Sequence, residues 1–181
     1  MNDVANSIMN AAEKRMRLGG FGGFSFREIA ADVGVKSSSV HYHFPTKENL
    51  AAAVVRRYTE EVSQYIDQEF EKNPDPVQVW TNAFRGTLME ERMCPCTVLG
   101  AAALDLPPEV ATEVKGFYKM CMDKLIAEGL SATNAAELLS TITGALVVAN
   151  ALGDTSMYDR ATRELLRQPG KPAAKPRRSR G

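Results

Sequence analysis

Apolar residues recur every three or four positions through most of this chain, and no stretch alternates strongly enough to argue for a sheet, so the pattern predicts an all-α protein. Val4, Ile8, Ala11, Ala12, Met16 and Leu18 trace a first helix over residues 4–18. A glycine-rich run, 19–24, ends it, and Phe21 and Phe24 give that run two anchors that a flexible linker would lack. Ser25 then has the chemistry of an N-cap, and Glu28 completes a capping box ahead of Ile29, Ala30 and Val33. Gly34 stops this second helix, with Val35 expected to fold back beneath it. A third, 37–43, has only Val40 and Phe44 as anchors.

Thr46 caps a long helix over 47–72, with Leu50, Val54, Tyr58, Val62, Tyr65 and Phe70 in one stripe, and Asn73-Pro74-Asp75-Pro76 breaks it. Further helices are expected over 77–91, with Val77, Trp80, Phe84 and Leu88 on one face, over 97–104, and over 108–128, with Val110, Val114, Phe117, Cys121 and Leu125. Gly129 and a cap at Ser131 or Thr133 introduce a helix over 132–152 that is apolar on nearly every side. Such a helix must be covered by its own domain or by a partner molecule. Met157, Ala161 and Leu165 mark a last helix over 155–168, and residues 169–181 read as a basic, proline-containing disordered tail.

The 181 residues carry 22 basic and 22 acidic side chains, but unevenly. Residues 1–50 hold six Lys/Arg against five Asp/Glu, 51–168 eleven against seventeen, and 169–181 five against none. An acidic body repels nucleic acid, so any DNA contact belongs to the ends of the chain. Three cysteines do not make a disulfide framework and fit a reducing compartment. With no apolar run of about eighteen residues and no secretory pattern at the N-terminus, a cytoplasmic protein without a membrane partner is expected. No enzyme site assembles: there are 2 histidines, and no nucleophile and orienting carboxylate pair with them in a defensible spacing. Residues 19–23 lack the preceding strand and following Gly-Lys-Ser/Thr of a phosphate loop, and His41 and His43 lack the helpers a zinc site needs. Neither a metal nor a cofactor is expected.

The helix over 37–43 is the oddest in composition. Ser37, Ser38, Ser39, His41, Tyr42 and His43 are poor helix formers and too polar to build a core. Taken alone they would suit a solvated surface. Preceded by a capped helix and a glycine turn, with Lys36 at the start, they suit phosphate oxygens and base edges in a major groove. The stretch Gly23-Phe24-Ser25-Phe26-Arg27-Glu28-Ile29-Ala30, the Gly34-Val35 turn, and Tyr42-His43-Phe44-Pro45-Thr46-Lys47 with Leu50 beyond resemble the DNA-binding motif of the TetR family of bacterial transcriptional regulators. The resemblance covers roughly residues 4–58, with His41 where the family usually has tyrosine.

The resemblance implies an N-terminal three-helix helix-turn-helix domain over 1–46, a roughly six-helix effector-binding and dimerisation domain over 47–168, and the tail. Candidate contacts to double-stranded operator DNA are Ser25, Arg27, Lys36, Ser37, Ser38, Ser39, His41, Tyr42, His43 and Lys47. It further implies a homodimer, released from its operator by a small molecule held in an apolar cavity. Candidates to line it are Tyr58, Trp80, Phe84, Leu88, Cys96, Phe117, Cys121 and Thr143, all of which core packing would equally explain. Cys94-Pro95-Cys96 adds an alternative. Two thiols one residue apart, beside Arg92, can sense oxidants or electrophiles, or can simply pack as small hydrophobes.

Overall fold

A computed structural model of the chain describes residues 3–89 and 93–167. Arg92 and the basic tail lie outside the described residues. All regular structure within them is helical, apart from one 3-10 turn over Phe21–Gly23. The order is α1 (Asp3–Gly19), α2 (Phe26–Val33), α3 (Ser37–His43), α4 (Lys47–Lys72), α5 (Pro76–Met89), α6 (Pro95–Gly100), α7 (Pro108–Ala127), α8 (Ala132–Leu152) and α9 (Ser156–Arg167).

The described residues form two compact units, one from Met1–Val62 and Met89–Tyr118, the other from Ser63–Leu88 and Lys119–Gly181. In the first, α1 packs on α2, α3 and α6. Ile8, Met16, Phe24, Ile29, Val40 and Leu50 are its deepest side chains. Leu18, expected on the apolar face of α1, is instead 77% exposed, because the inward face runs through Ala5, Ile8, Met9, Ala12 and Met16. The stripe on α7 is buried in full, from Val110 to Leu125. On α4 the expected stripe holds through Leu50, Val54 and Tyr58, then shifts: Tyr65 is exposed and Ile66 takes the buried position.

The short helix begins two residues earlier than expected and ends at Gly100, since Pro95 is pre-organised for a first helical turn. In the second unit α8 packs along α9. Ser131 caps α8 by accepting from the Asn134 N–H at 3.1 Å, and Gly153 closes it in the left-handed conformation at φ 62°. Length and apolar composition would let α8 cross a membrane, but its inner face, Leu138, Ile142, Leu146 and Ala149, is core. On α9 the buried positions are Tyr158 and Thr162, one residue on from the expected Met157 and Ala161. The reason is polar: the Tyr158 hydroxyl donates to the Thr81 carbonyl of α5 at 2.9 Å, and Arg85 grips Asp159 with contacts of 2.6 and 3.0 Å.

Candidate nucleic-acid interface

Three local devices set the geometry of α2 and α3. Ser25 Oγ accepts from the Glu28 N–H at 3.3 Å and donates to Glu28 Oε2 at 2.8 Å, which starts α2 and holds Glu28 below the usual carboxylate range. Gly34, at φ 76° and ψ 31°, ends it: the Gly34 N–H reaches the Ala31 carbonyl at 3.3 Å and the Val35 N–H reaches that of Ala30 at 2.9 Å. This pair of bonds turns the chain sharply enough for α3 to begin at Ser37. Val40, fully buried, then fixes the roll of α3 about its axis.

With Val40 inward, Ser37 and His41 fall on the outer face one turn apart, as do Ser38 and Tyr42. All four are exposed, Tyr42 to 84%. Ser39 and His43 are half-buried at the flank. The His41 ring rests edge-on against Phe26, centroids 4.6 Å apart, and so is steered by α2. Arg27 and Lys36 are exposed beside this face. The acidic residues of α2 do not oppose them: Asp32 and Glu28 are both held by Arg15 of α1, at 2.5 and 3.0 Å to Asp32 and 3.2 Å to Glu28. Lys47 is half-buried, its ammonium 4.6 Å from the Phe21 centroid and 4.7 Å from that of Phe24. Sequence periodicity gave no sign of this clamp, although the two phenylalanines in the glycine run were visible as anchors.

The ten candidate DNA contacts therefore lie together in the first unit. An exposed short helix, polar and free of carboxylates, carried at a fixed roll behind a glycine turn, defines a helix-turn-helix DNA-binding protein. The profile described as "Bacterial regulatory proteins, tetR family" matches residues 8–54, which span all three helices of the motif. The chain is 29% identical over 157 residues to the HTH-type transcriptional regulator LmrA of Bacillus subtilis (strain 168), covering 80% of this chain and 82% of that one. A TetR-family transcriptional regulator from Agrobacterium tumefaciens superposes with a TM-score of 0.84 at 28% identity, over 92% of this chain and 97% of that one. One from Legionella pneumophila, at 21% identity, shares the fold with a TM-score of 0.82 over 93% and 98%. Residues 8–54 thus match the DNA-binding motif of the TetR family, and the helical fold is that of TetR-family transcriptional regulators.

The candidate effector residues divide between the units. Tyr58, Cys96 and Phe117 are buried in the first, where the Tyr58 and Phe117 rings lie 5.7 Å apart. Trp80, Phe84, Leu88, Cys121 and Thr143 belong to the second, with Trp80, Phe84 and Cys121 buried and the Trp80 and Phe84 rings 6.1 Å apart. None of these lines the 190 Å³ pocket between α5, α8 and α9 or the 450 Å³ groove beside Arg85. Two of them nonetheless stand out. The indole nitrogen of Trp80 and the hydroxyl of Thr143 are buried polar atoms with no hydrogen-bond partner among the described residues.

Proposed function

We propose that the protein is a repressor, a homodimer whose two α3 helices enter successive major grooves of an operator and which a small, weakly polar molecule releases. The orphaned Trp80 Nε1 and Thr143 Oγ1 support the effector. A buried donor left unpaired costs about 1–3 kcal/mol, so a ligand that accepts from the indole and the hydroxyl recovers energy the unliganded protein forgoes. The rest of its site in the second unit would be the apolar surface of Phe84, Leu88 and Cys121. Release requires that the ligand favour the arrangement incompetent for DNA, because equal affinity for both states shifts nothing.

Support for the dimer comes from the outer faces of α8 and α9. Val147 and Val148 are each 46% exposed, Leu152 62% and Leu166 39%, an apolar surface on the two helices expected to pair. Two-fold pairing would set the recognition helices about 34 Å apart, on successive turns of the groove.

Trp80 is the chain's 1 tryptophan, so its emission reports directly on the proposed site. An operator is first selected from random duplex DNA, and small uncharged compounds are then titrated. An effector should change Trp80 emission and lower operator affinity over the same concentration range. If every compound that perturbs Trp80 leaves operator affinity unchanged, the effector assignment fails. A reporter gene behind the operator should be more active without the protein; lower activity would make it an activator instead.

A further inference from the structure

Cys94 and Cys96 stand either side of Pro95 at the start of α6, exposed to only 1% and 0% and both free of disulfides. Burial ordinarily keeps a thiol protonated and inert. Around Cys94 the structure opposes that tendency. Cys96, Tyr58 and Thr97 surround the Cys94 thiol and favour its thiolate, while the Thr97 N–H is bonded to the Cys94 carbonyl at 3.1 Å. Burial pushes the thiol up, but these neighbours together outweigh it and bring Cys94 from an ordinary 9.0 down to about 6. Tyr58 moves the other way, well above 10.0, first through burial and then through the thiolate beside it, so its hydroxyl stays a donor.

The cluster is wired to the DNA-binding helices. Arg17 of α1 donates to the Met93 carbonyl, next to Cys94, at 2.8 Å, and its guanidinium carbon lies 5.1 Å from the Tyr58 ring centroid. Glu13 holds the same guanidinium at 2.7 and 3.0 Å, and binds Arg57 of α4 at 2.8 Å. One sulfur, one phenol and one guanidinium thus join α6, α4 and α1.

We propose that Cys94 and Cys96 are a thiol pair oxidised by hydroperoxides, and that their disulfide loosens α1 from α6 and weakens operator binding. Burial selects the reagent class, since only a compact oxidant near the size of water reaches these sulfurs without gross opening. The second thiol selects the chemistry. Capture of a carbon electrophile needs one sulfur, whereas a neighbouring thiol already in hydrogen-bond contact is what resolves a sulfenic acid. In the first step the Cys94 thiolate attacks a peroxide oxygen: the S–O bond forms, the O–O bond breaks, and the leaving oxygen takes its proton from the Cys96 thiol. Cys96, now the thiolate, attacks the Cys94 sulfur. The S–S bond forms, the S–O bond breaks, and the departing hydroxide is protonated by solvent. The pair gives up two electrons; the hydroperoxide becomes water and an alcohol, or two waters for hydrogen peroxide.

Residues two apart in a chain have Cα atoms at most about 7 Å apart, within reach of the roughly 4.4–6.8 Å a disulfide spans once the start of α6 adjusts. The new bond removes the thiolate beside Tyr58. The buried Tyr58 hydroxyl then loses its acceptor, and relief requires the cluster holding Arg17 to Met93 to open.

This inference rests on the DNA-binding reading for its consequence but not for its chemistry, and two readouts keep them apart. The purified full chain is treated with excess hydrogen peroxide, its thiols mapped by peptide mass, and its affinity for the selected operator followed by fluorescence anisotropy. Expected are a Cys94–Cys96 crosslink and at least about tenfold weaker operator binding, both reversed by dithiothreitol. Cys96→Ser should stop at a Cys94 sulfenic acid, read as a gain of one oxygen in the peptide mass, and Cys94→Ser should leave Cys96 reduced. Tyr58→Phe, at a positioning residue, should move the pH profile of oxidation upward without abolishing it, whereas Cys121→Ser should change nothing. Recovery of both thiols unoxidised from treated wild-type protein overturns the proposal, as does a crosslinked protein that binds operator as well as before. If the reduced protein binds no DNA, the repressor reading fails and the mass map alone decides whether the thiol pair exists.

Discussion

Tyr42 and Lys47 bracket the end of the recognition helix, and the structure makes them differ in kind. Tyr42 is 84% exposed, with its ring beside that of His43, centroids 5.1 Å apart, so Tyr42→Ala should leave stability within about 0.5 kcal/mol of wild type. Lys47 lies over Phe21 and Phe24, and Lys47→Ala should cost about 0.5–1 kcal/mol from the lost cation–π contacts. On DNA the contrast is sharper. A lysine on a phosphate releases counterions, and in a dimer two such contacts steepen the salt slope by about 1.8 in log affinity per log salt. Removing them weakens binding about thirtyfold at roughly 0.15 M salt and about two hundredfold at roughly 0.05 M. A neutral hydroxyl releases no counterions; two lost phenol–phosphate bonds, at about 0.5–1.5 kcal/mol each, cost a factor of about five to a hundred and sixty at every salt concentration. The assay is anisotropy against the operator over a salt series, with urea unfolding as the stability control. A Lys47→Ala protein with the wild-type salt slope, or a Tyr42→Ala protein with a shallower one, would refute the reasoning.

Charge introduced by Val148→Glu, on the exposed apolar face of α8, should yield monomers in sedimentation at micromolar concentration with helical content unchanged. Gly34→Ala isolates backbone strain, because an added Cβ there meets nothing within 4 Å while φ is +76°; urea unfolding should show a loss of about 1–2 kcal/mol. Gly23→Ala should cost more, as its Cβ would sit 2.9 Å from the Arg15 carbonyl oxygen. The Cys94 thiolate persists down to about pH 6, so peroxide consumption by the pair should be flat above about pH 7 and fall about tenfold per unit below about pH 5.5. A thiol at the ordinary 9.0 would still be accelerating between pH 7 and 9, and stopped-flow measurement separates the two.

Local chemistry carried most of the architecture. The Ser25–Glu28 box, the Gly34 turn, the limits of α3, α4 and α8 and the buried stripe of α7 all follow from caps, breakers and a period of three to four, interactions that close within a few residues. The outward set on α3 was legible for the same reason: once Val40 is inward, helical geometry assigns the rest. Tertiary structure decided what depends on partners distant in the chain. Periodicity locates an apolar face only to within about a residue, so the carbonyl of Thr81, far from α9 in sequence, rotated that helix onto Tyr158. Lys47 reads in the sequence as one more exposed cation, and only the packing of the glycine run brings two aromatic faces to its ammonium. Cys94 beside Cys96 was visible as a pair, but a thiol's acidity is set by the donors around it. The influence of Tyr58, and the Arg17 link to α1, exist only once α1, α4 and α6 meet.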